Sequence, residues 1–166
     1  GTMLQDEALR FIRLGTFLER ADNTARILEV KYLNLLPGAD EETAHAADYY
    51  QWSALLQSVS AFEVYRKVYR DQITPLRVAE LLVLRADMPR SLARSMKEVY
   101  SNLTRVSNAR SAETERLAGE LESHLRFGRI ERIFEGGFRK YLEDFRDRIF
   151  DLGCRISDDF LIPASS

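Results

Sequence analysis

The sequence predicts an all-α protein, an up-and-down bundle of about six or seven helices whose first and last members are long. Three observations lead to this prediction. An apolar seam at helical spacing runs near each end of the chain, residues that start or end helices separate the segments, and the connections between helices are short. The sequence predicts no strand.

The first helix is predicted from about Gln5 to Leu36, where Pro37 and Gly38 end it. Its apolar residues alternate steps of three and four, so they share one face of the helix. They are Phe11, Leu14, Leu18, Ala21, Ala25, Leu28, Tyr32 and Leu35. The acidic segment that follows, up to about His45, is predicted to be a loop.

Two helices are predicted in the next part of the chain. The second helix begins at about Asp48 and continues through Tyr69, with aromatic and aliphatic residues at helical spacing. Thr74 is predicted as the N-cap of a short helix and Pro75 as its first residue, positions at which these residue types are favoured. Residues 76–85 are nearly all apolar, so this helix is expected to be central.

Two further helices follow. One is predicted from about Arg90 to Asn108, and the next is capped by Ser111 and ended by Gly128. Acidic residues in the first turn of the helix after Ser111 suit the positive end of the helix dipole. Both helices are therefore expected to have well-defined ends.

The final helical stretch is predicted from about Ile130 to Leu161, with a kink or break at Gly136 and Gly137. Beyond the glycines a second seam is as long as the first, so the first and last helices are expected to pack along their length with antiparallel neighbours. Its residues are Phe138, Tyr141, Leu142, Phe145, Ile149, Leu152, Ile156 and Phe160. Within residues 139–148 acids alternate with arginines, which is typical of a solvated face with ion pairs.

Charge and length limit the classes of function. The net charge of −2, from 24 basic and 26 acidic residues, lacks the basic excess that nucleic-acid binding usually needs, so no nucleic-acid partner is predicted. The apolar runs are far shorter than the ~20 residues of a membrane span, and no membrane association is predicted. A single domain is expected over residues 3–163, with Gly1 and Thr2 as a cloning remnant.

The single cysteine, Cys154, excludes a disulfide within the chain and fits a reducing compartment, so a cytoplasmic location is expected. It follows Gly153 in an apolar stretch, and we interpret it as a buried small hydrophobe rather than a reactive thiol. No signal peptide is recognised in the sequence.

Known patterns of catalytic chemistry are missing from the sequence. A di-metal carboxylate site in a bundle needs paired Glu-x-x-His segments, whereas the chain has only His45 and His124, so neither a metal site nor a cofactor is predicted. The sequence contains neither a nucleophile elbow nor a phosphate-binding loop. No catalytic residue follows from these patterns.

A line of charge lies one residue around from the first seam, and it is the best functional lead. Glu19, Asp22, Arg26 and Glu29 continue the spacing of Gly15, at the edge of a packed interface where unpaired charge is unfavourable. One interpretation is pairing within the bundle that fixes register, with Asp22 reaching Arg26. The other is a polar cleft for a ligand or partner. A mid-helix glycine costs ~1 kcal/mol relative to alanine, so Gly15 indicates either that cleft or close helix packing.

Residues 14–26, LGTFLERADNTAR, resemble the signature of the bacterial alpha-E family, a helical domain of unknown function named for a Glu-Arg motif. Glu19 and Arg20 match that motif. Relatives often carry arginine where this chain has Thr16, and the chain resembles only the C-terminal half of the usual domain. Three later segments are also similar to the family: Trp52–Leu56, Ala61–Tyr65 and Met88–Ser91.

The resemblance implies a context for the chain. Alpha-E proteins are typically encoded beside, or fused to, circularly permuted ATP-grasp ligases and transglutaminase-like proteins. This implies an accessory or partner-binding module of an amide-bond-forming pathway, not catalytic alone, with Glu19, Arg20, Asp22 and Arg26 as candidate binding residues. The expected partner is a circularly permuted ATP-grasp protein or the missing half of the domain, and a homodimer is a further expectation.

Two alternatives remain open at this point. The first is an enzyme that acts on an amide or aminoacyl substrate with Glu19 as general base, which would need an open pocket around that carboxylate. The second is a purely structural dimerisation bundle.

Overall fold

Eight α-helices and one π-helical turn make up the part of the chain that the computed structural model describes, residues 2–33, 41–70 and 72–161, and this part contains no strand. Side chains are described for residues 5–32, 49–70 and 72–160. The helices are α1 Thr2–Leu33, α2 Glu41–Ser58, α3 Phe62–Tyr69, α4 Pro75–Leu84, α5 Leu92–Arg105, α6 Ala112–Arg126, α7 Ile130–Glu135 and α8 Phe138–Ile156, and the π-helical turn is Ser157–Leu161. The predicted all-α class is confirmed.

Four of the helices, α1, α5, α6 and α8, form a ring in which each packs against the next. Contacts between α1 and α5 show that the two run in opposite directions. The Thr24 hydroxyl donates to the carbonyl oxygen of Arg90, just before α5, at 2.8 Å, whereas Arg10 donates to Asn102 Oδ1, near the far end of α5, at 3.2 Å. The remaining helices pack beside this ring.

The first and last long helices also run antiparallel, and they pack along their length as predicted. The ring centroids of Tyr32 and Phe138 are 4.5 Å apart at one end, and those of Phe11 and Phe160 are 5.2 Å apart at the other. Both predicted seams contribute buried residues to this packing: Leu14, Ala21, Ala25 and Leu28 in α1, and Phe138, Leu142, Phe145, Ile149, Leu152 and Ile156 in α8.

The second predicted helix is two helices. The chain breaks between α2 and α3 at Ser60, which has a φ of 57° in the left-handed region. The break is held by a hydrogen bond from the backbone nitrogen of Ala61 to the carbonyl oxygen of Leu56, at 2.7 Å. Val59 and Ala61 are buried on either side of the exposed Ser60, so the turn directs both of its flanks into the core.

The acidic segment after the first helix is not a loop up to His45, because α2 already begins at Glu41. Three alanines, at positions 44, 46 and 47, fall within this first part of α2, and alanine has the highest helix propensity. Pro37 and Gly38, predicted to end the first helix, lie outside the described residues.

The predicted helix ends are confirmed in part. Thr74 Oγ1 accepts a hydrogen bond from the backbone nitrogen of Arg77 at 3.2 Å, which makes it the N-cap of α4. Ser111 precedes α6 but accepts from the backbone nitrogen of Asn108, at 2.9 Å, rather than from its own helix. Gly137, with a φ of 96°, separates α7 from α8 as predicted.

Cys154 is exposed, so the prediction that it is buried was wrong. It lies midway between Leu152 and Ile156, which are both buried on the inner face of α8. Residues two positions apart in an α-helix are separated by about 200° around its axis, so Cys154 is directed away from the core. None of the described helices combines the length and apolar character that crossing a bilayer needs.

Candidate functional site

A cavity of about 470 Å³ opens between α1 and α8, directly beside the predicted line of charge. Glu19, Asp22 and Arg26 all reach it from α1. Its other lining residues come from both helices: Leu18, Glu143, Arg146, Asp147, Ile149 and Phe150. The edge of the α1/α8 seam is therefore a polar cleft as well as a packing boundary.

Arg146 of α8 joins the two helices through a network of four charges. Asp22 accepts a hydrogen bond from Arg26 Nε at 2.7 Å and another from Arg146 Nε at 3.2 Å. Arg146 Nη1 also donates to Glu29 Oε2, at 2.8 Å. These hydrogen bonds, chiefly the one to Glu29, hold the pKa of Arg146 above its ordinary value. Arg146 of α8 therefore compensates the negative charges of Asp22 and Glu29 in α1.

Glu19 differs from its neighbours. Its side chain is exposed, and its carboxylate has no hydrogen bond or ion pair with any described residue. The cavity as a whole contains four carboxylates and two guanidinium groups, and one of these, that of Arg146, is shared with Glu29 outside the cavity. The surplus of negative charge favours a cationic group in this cleft.

Arg20 is the one candidate residue that the structure does not bring to the cavity. Its guanidinium carbon lies 5.2 Å from the ring centroid of Phe17, one turn earlier in α1. Consecutive residues of a helix are about 100° apart around the axis, so Arg20 cannot share the direction of Glu19. The two residues of the Glu-Arg pair therefore have different surroundings.

Sequence reasoning missed Arg146, because the alternating charges of residues 139–148 indicated a solvated face. That interpretation fits Arg139 and Glu143, an exposed pair within α8 at 3.1 Å. Arg146 instead follows Phe145 of the buried seam by one residue, the same relation that Asp22 has to Ala21 in α1. A residue that follows a buried seam residue lies at the edge of the seam. Matching such residues of α1 and α8 in an antiparallel register could have identified Asp22 and Arg146 as partners.

Among the described residues, none packs closely enough on Gly15 to require a glycine there. It is exposed, and a Cβ atom added to it would meet nothing within 4 Å. Gly119 gives the opposite case, since a Cβ atom there would lie 2.9 Å from Cε2 of Tyr100, in the contact between α5 and α6. Close helix packing therefore explains the glycine at position 119 but not the glycine at position 15.

We expect Gly15→Ala to raise the free energy of unfolding by about 0.5–1 kcal/mol, since alanine loses less backbone entropy on folding and meets no neighbour here. Gly119→Ala is the matched change with the opposite sign, because the Tyr100 ring must move. Urea unfolding followed by circular dichroism measures both. A destabilising Gly15→Ala would contradict the open space described at this position.

A larger concavity, of about 630 Å³, lies between α5 and α6, but its charges are paired within α6 except for Glu115, which accepts a hydrogen bond from Ser107. Arg116 bonds both Glu113, at 2.7 Å, and Glu120, at 3.1 Å, all in α6. Among the side chains that the structure describes, no group of three or more His, Cys, Asp or Glu residues is placed to hold a metal ion. The α1/α8 cavity is therefore the better candidate for recognition.

The family comparison covers nearly the whole chain. The model of the Alpha-E family, described as a predicted alpha-helical domain with a conserved ER motif, matches residues 1–161. The expectation that the chain is only the C-terminal half of that domain is not borne out by a match of this extent. No curated protein and no solved structure matches the chain. Glu19 and Arg20 supply a Glu-Arg pair in α1, and the chain belongs to the Alpha-E family.

Proposed function

We propose that this chain is a helical accessory module that binds a partner protein in an amide-bond-forming, ATP-grasp-associated pathway. The observation that supports a binding role is the cavity beside Glu19, in which charged side chains of two helices converge and Glu19 and Asp147 have no ion pair with any described residue. The pathway rests on the resemblance to proteins encoded beside circularly permuted ATP-grasp ligases. The α1/α8 cavity is the surface through which the partner binds.

The geometry of the predicted site residues favours a binding role over a catalytic role. Both oxygens of Asp22 already accept from guanidinium groups, Oδ1 from Arg146 and Oδ2 from Arg26, so this acid is engaged in structure. Glu19 stands exposed at the rim, where a partner reaches it readily. Catalysis by a general base also needs a nucleophile or an oxyanion donor nearby, and the lining residues are acids, arginines and apolar side chains.

A co-purification experiment tests this proposal. The chain is immobilised and used to recover a circularly permuted ATP-grasp protein of the kind encoded beside alpha-E proteins. We expect the double variant Glu19→Ala, Arg26→Ala to lower the recovered amount about ten-fold, which corresponds to about 1.4 kcal/mol of binding free energy. Undiminished recovery by a folded double variant would contradict binding through this cavity.

A matched control comes from α6. The double variant Glu113→Ala, Arg116→Ala removes one exposed acid and one exposed arginine from a single helix, as the test variant does in α1. It leaves the net charge of the chain unchanged, as the test variant does. We expect it to recover as much ATP-grasp protein as the natural sequence does.

A further inference from the structure

The cleft between α1 and α8 that contains the cavity beside Glu19 is here called the α1/α8 groove. Two glycines, Gly15 and Gly153, face this groove. Gly15 lies four residues before Glu19 in α1, and Gly153 lies three residues after Phe150 in α8, so helical spacing puts each on the side of its helix that lines the cavity. A Cβ atom added at either position would meet nothing within 4 Å. Each glycine costs ~1 kcal/mol relative to alanine, and no packing within the described chain explains that cost.

The two glycines lie at a similar level along the two helices. Phe11 packs on Phe160, and Asp22 pairs with Arg146, so this antiparallel register brings positions 15 and 153 to within about one helical turn of each other. At these two positions, which form what we call the floor of the groove, no side chain projects into it, and this permits close approach of another backbone.

Exposed apolar side chains flank this floor. Phe150 is 76% exposed, and Ile12, three residues before Gly15, is 66% exposed. The apolar part of the groove continues directly into the acidic cavity, since Phe150 lines both. A partner that covers Phe150 therefore also meets the acids.

The charges of the cavity select the chemistry of the partner. Glu19 and Asp147 have no ion pair with any described residue, and Glu143 has only its exposed pair with Arg139. Carboxylates in this arrangement complement lysine or arginine side chains next to an apolar contact. A second copy of this chain would present the same surplus of acids across a symmetric contact, and the like charges would oppose it.

We propose that the occupant of the α1/α8 groove is an amphipathic helix of the partner protein, which rests on the binding role proposed above. Its apolar face packs over Gly15, Gly153 and Phe150, and its flanking lysine or arginine residues pair with Glu19 and Asp147. A groove between two antiparallel helices with a glycine floor accepts a third helix at short interaxial distance.

A peptide titration tests the chemistry of the occupant. The exposed Cys154, one turn beyond Phe150, takes an environment-sensitive fluorophore beside the groove. The probe is a helical peptide with leucines along one face and lysines beside them, and its counterpart has glutamate in place of lysine. We expect the lysine peptide to bind at least about ten-fold more tightly, with an affinity that falls as salt is added. Calorimetry with the unlabelled chain checks that the fluorophore does not create the site.

Variants of the groove locate the peptide. We expect the double variant Gly15→Leu, Gly153→Leu to weaken binding about ten-fold, because leucines fill the floor while both positions remain helical. Glu19→Gln with Asp147→Asn should weaken it to a similar extent and reduce the salt dependence. Glu131→Gln with Glu135→Gln, two exposed acids of α7, is the matched control and should leave the affinity unchanged.

The outcomes separate this inference from the proposed function. Equal affinity for the two peptides, or an affinity that the leucine and amide variants do not change, overturns the helix as occupant. So does a concentration-dependent dimer that the leucine variant abolishes, because the occupant would then be a second copy. If Glu19→Ala, Arg26→Ala loses the ATP-grasp protein but the leucine variant retains it, the binding role stands and the docked helix is overturned. Loss by both variants supports both proposals.

Discussion

Replacing Phe145 by alanine is expected to lower the free energy of unfolding by about 3–5 kcal/mol. The side chain is 2% exposed and lies at the centre of α8, the helix that packs against both α1 and α6. Truncation to alanine removes its apolar contacts and leaves a cavity that the antiparallel helices fill only in part. Urea unfolding followed by circular dichroism measures the change.

Phe150 supplies the control on the same helix. It is 76% exposed, so Phe150→Ala removes far less buried area than Phe145→Ala and should change the free energy of unfolding by no more than about 1 kcal/mol. A similar loss of stability for both variants would contradict the assignment of one phenylalanine to the core and the other to the surface.

Replacing Arg146 by alanine is expected to lower the free energy of unfolding by about 1–2 kcal/mol, between the values typical of exposed pairs and of buried charged hydrogen bonds. The change removes the α8 partner of Asp22 and Glu29. Because the side chains of these acids are only 28% and 13% exposed, water compensates for that loss only in part. These two acids are seven residues apart on one face of α1, so their mutual repulsion is then no longer offset.

A double-mutant cycle measures this network directly. We expect Arg146→Ala and Glu29→Gln together to cost less than the sum of the two single changes, by about 0.5 kcal/mol or more, because each removes the same contact. Arg139→Ala is the comparison, since its pair with Glu143 is exposed and should contribute less than about 0.5 kcal/mol. Strict additivity between positions 146 and 29 would show that their contact does not stabilise the fold.

The sequence was informative where burial is periodic. Leu14, Ala21, Ala25 and Leu28 were all placed on the inner face of α1 from spacing alone, and each is at most 1% exposed. Period and burial agree here because a long helix against a packed core must repeat its apolar face every three to four residues. The antiparallel pairing of α1 with α8 followed from the equal length of their seams.

Sequence reasoning could not find features that depend on tertiary contacts. The break at Ser60 contains no glycine or proline, and its left-handed backbone is imposed by the burial of Val59 and Ala61 on either side. The second partner of Asp22, Arg146, is 124 positions away, so spacing within α1 alone gives no sign of it. The cleft beside Glu19 was predicted from the α1 charges, whereas its α8 wall became visible only in three dimensions.

The cavity beside Glu19 is assembled from the first and last long helices of the chain, and its linking ion pair joins Asp22 to Arg146. During synthesis α1 leaves the ribosome long before α8 has been made, and a fold made from distant segments is completed only when the last of them is available. A nascent chain therefore lacks the cavity until α8 has emerged. A partner that recognises this surface consequently binds chains in which α8 has been made and not shorter ones.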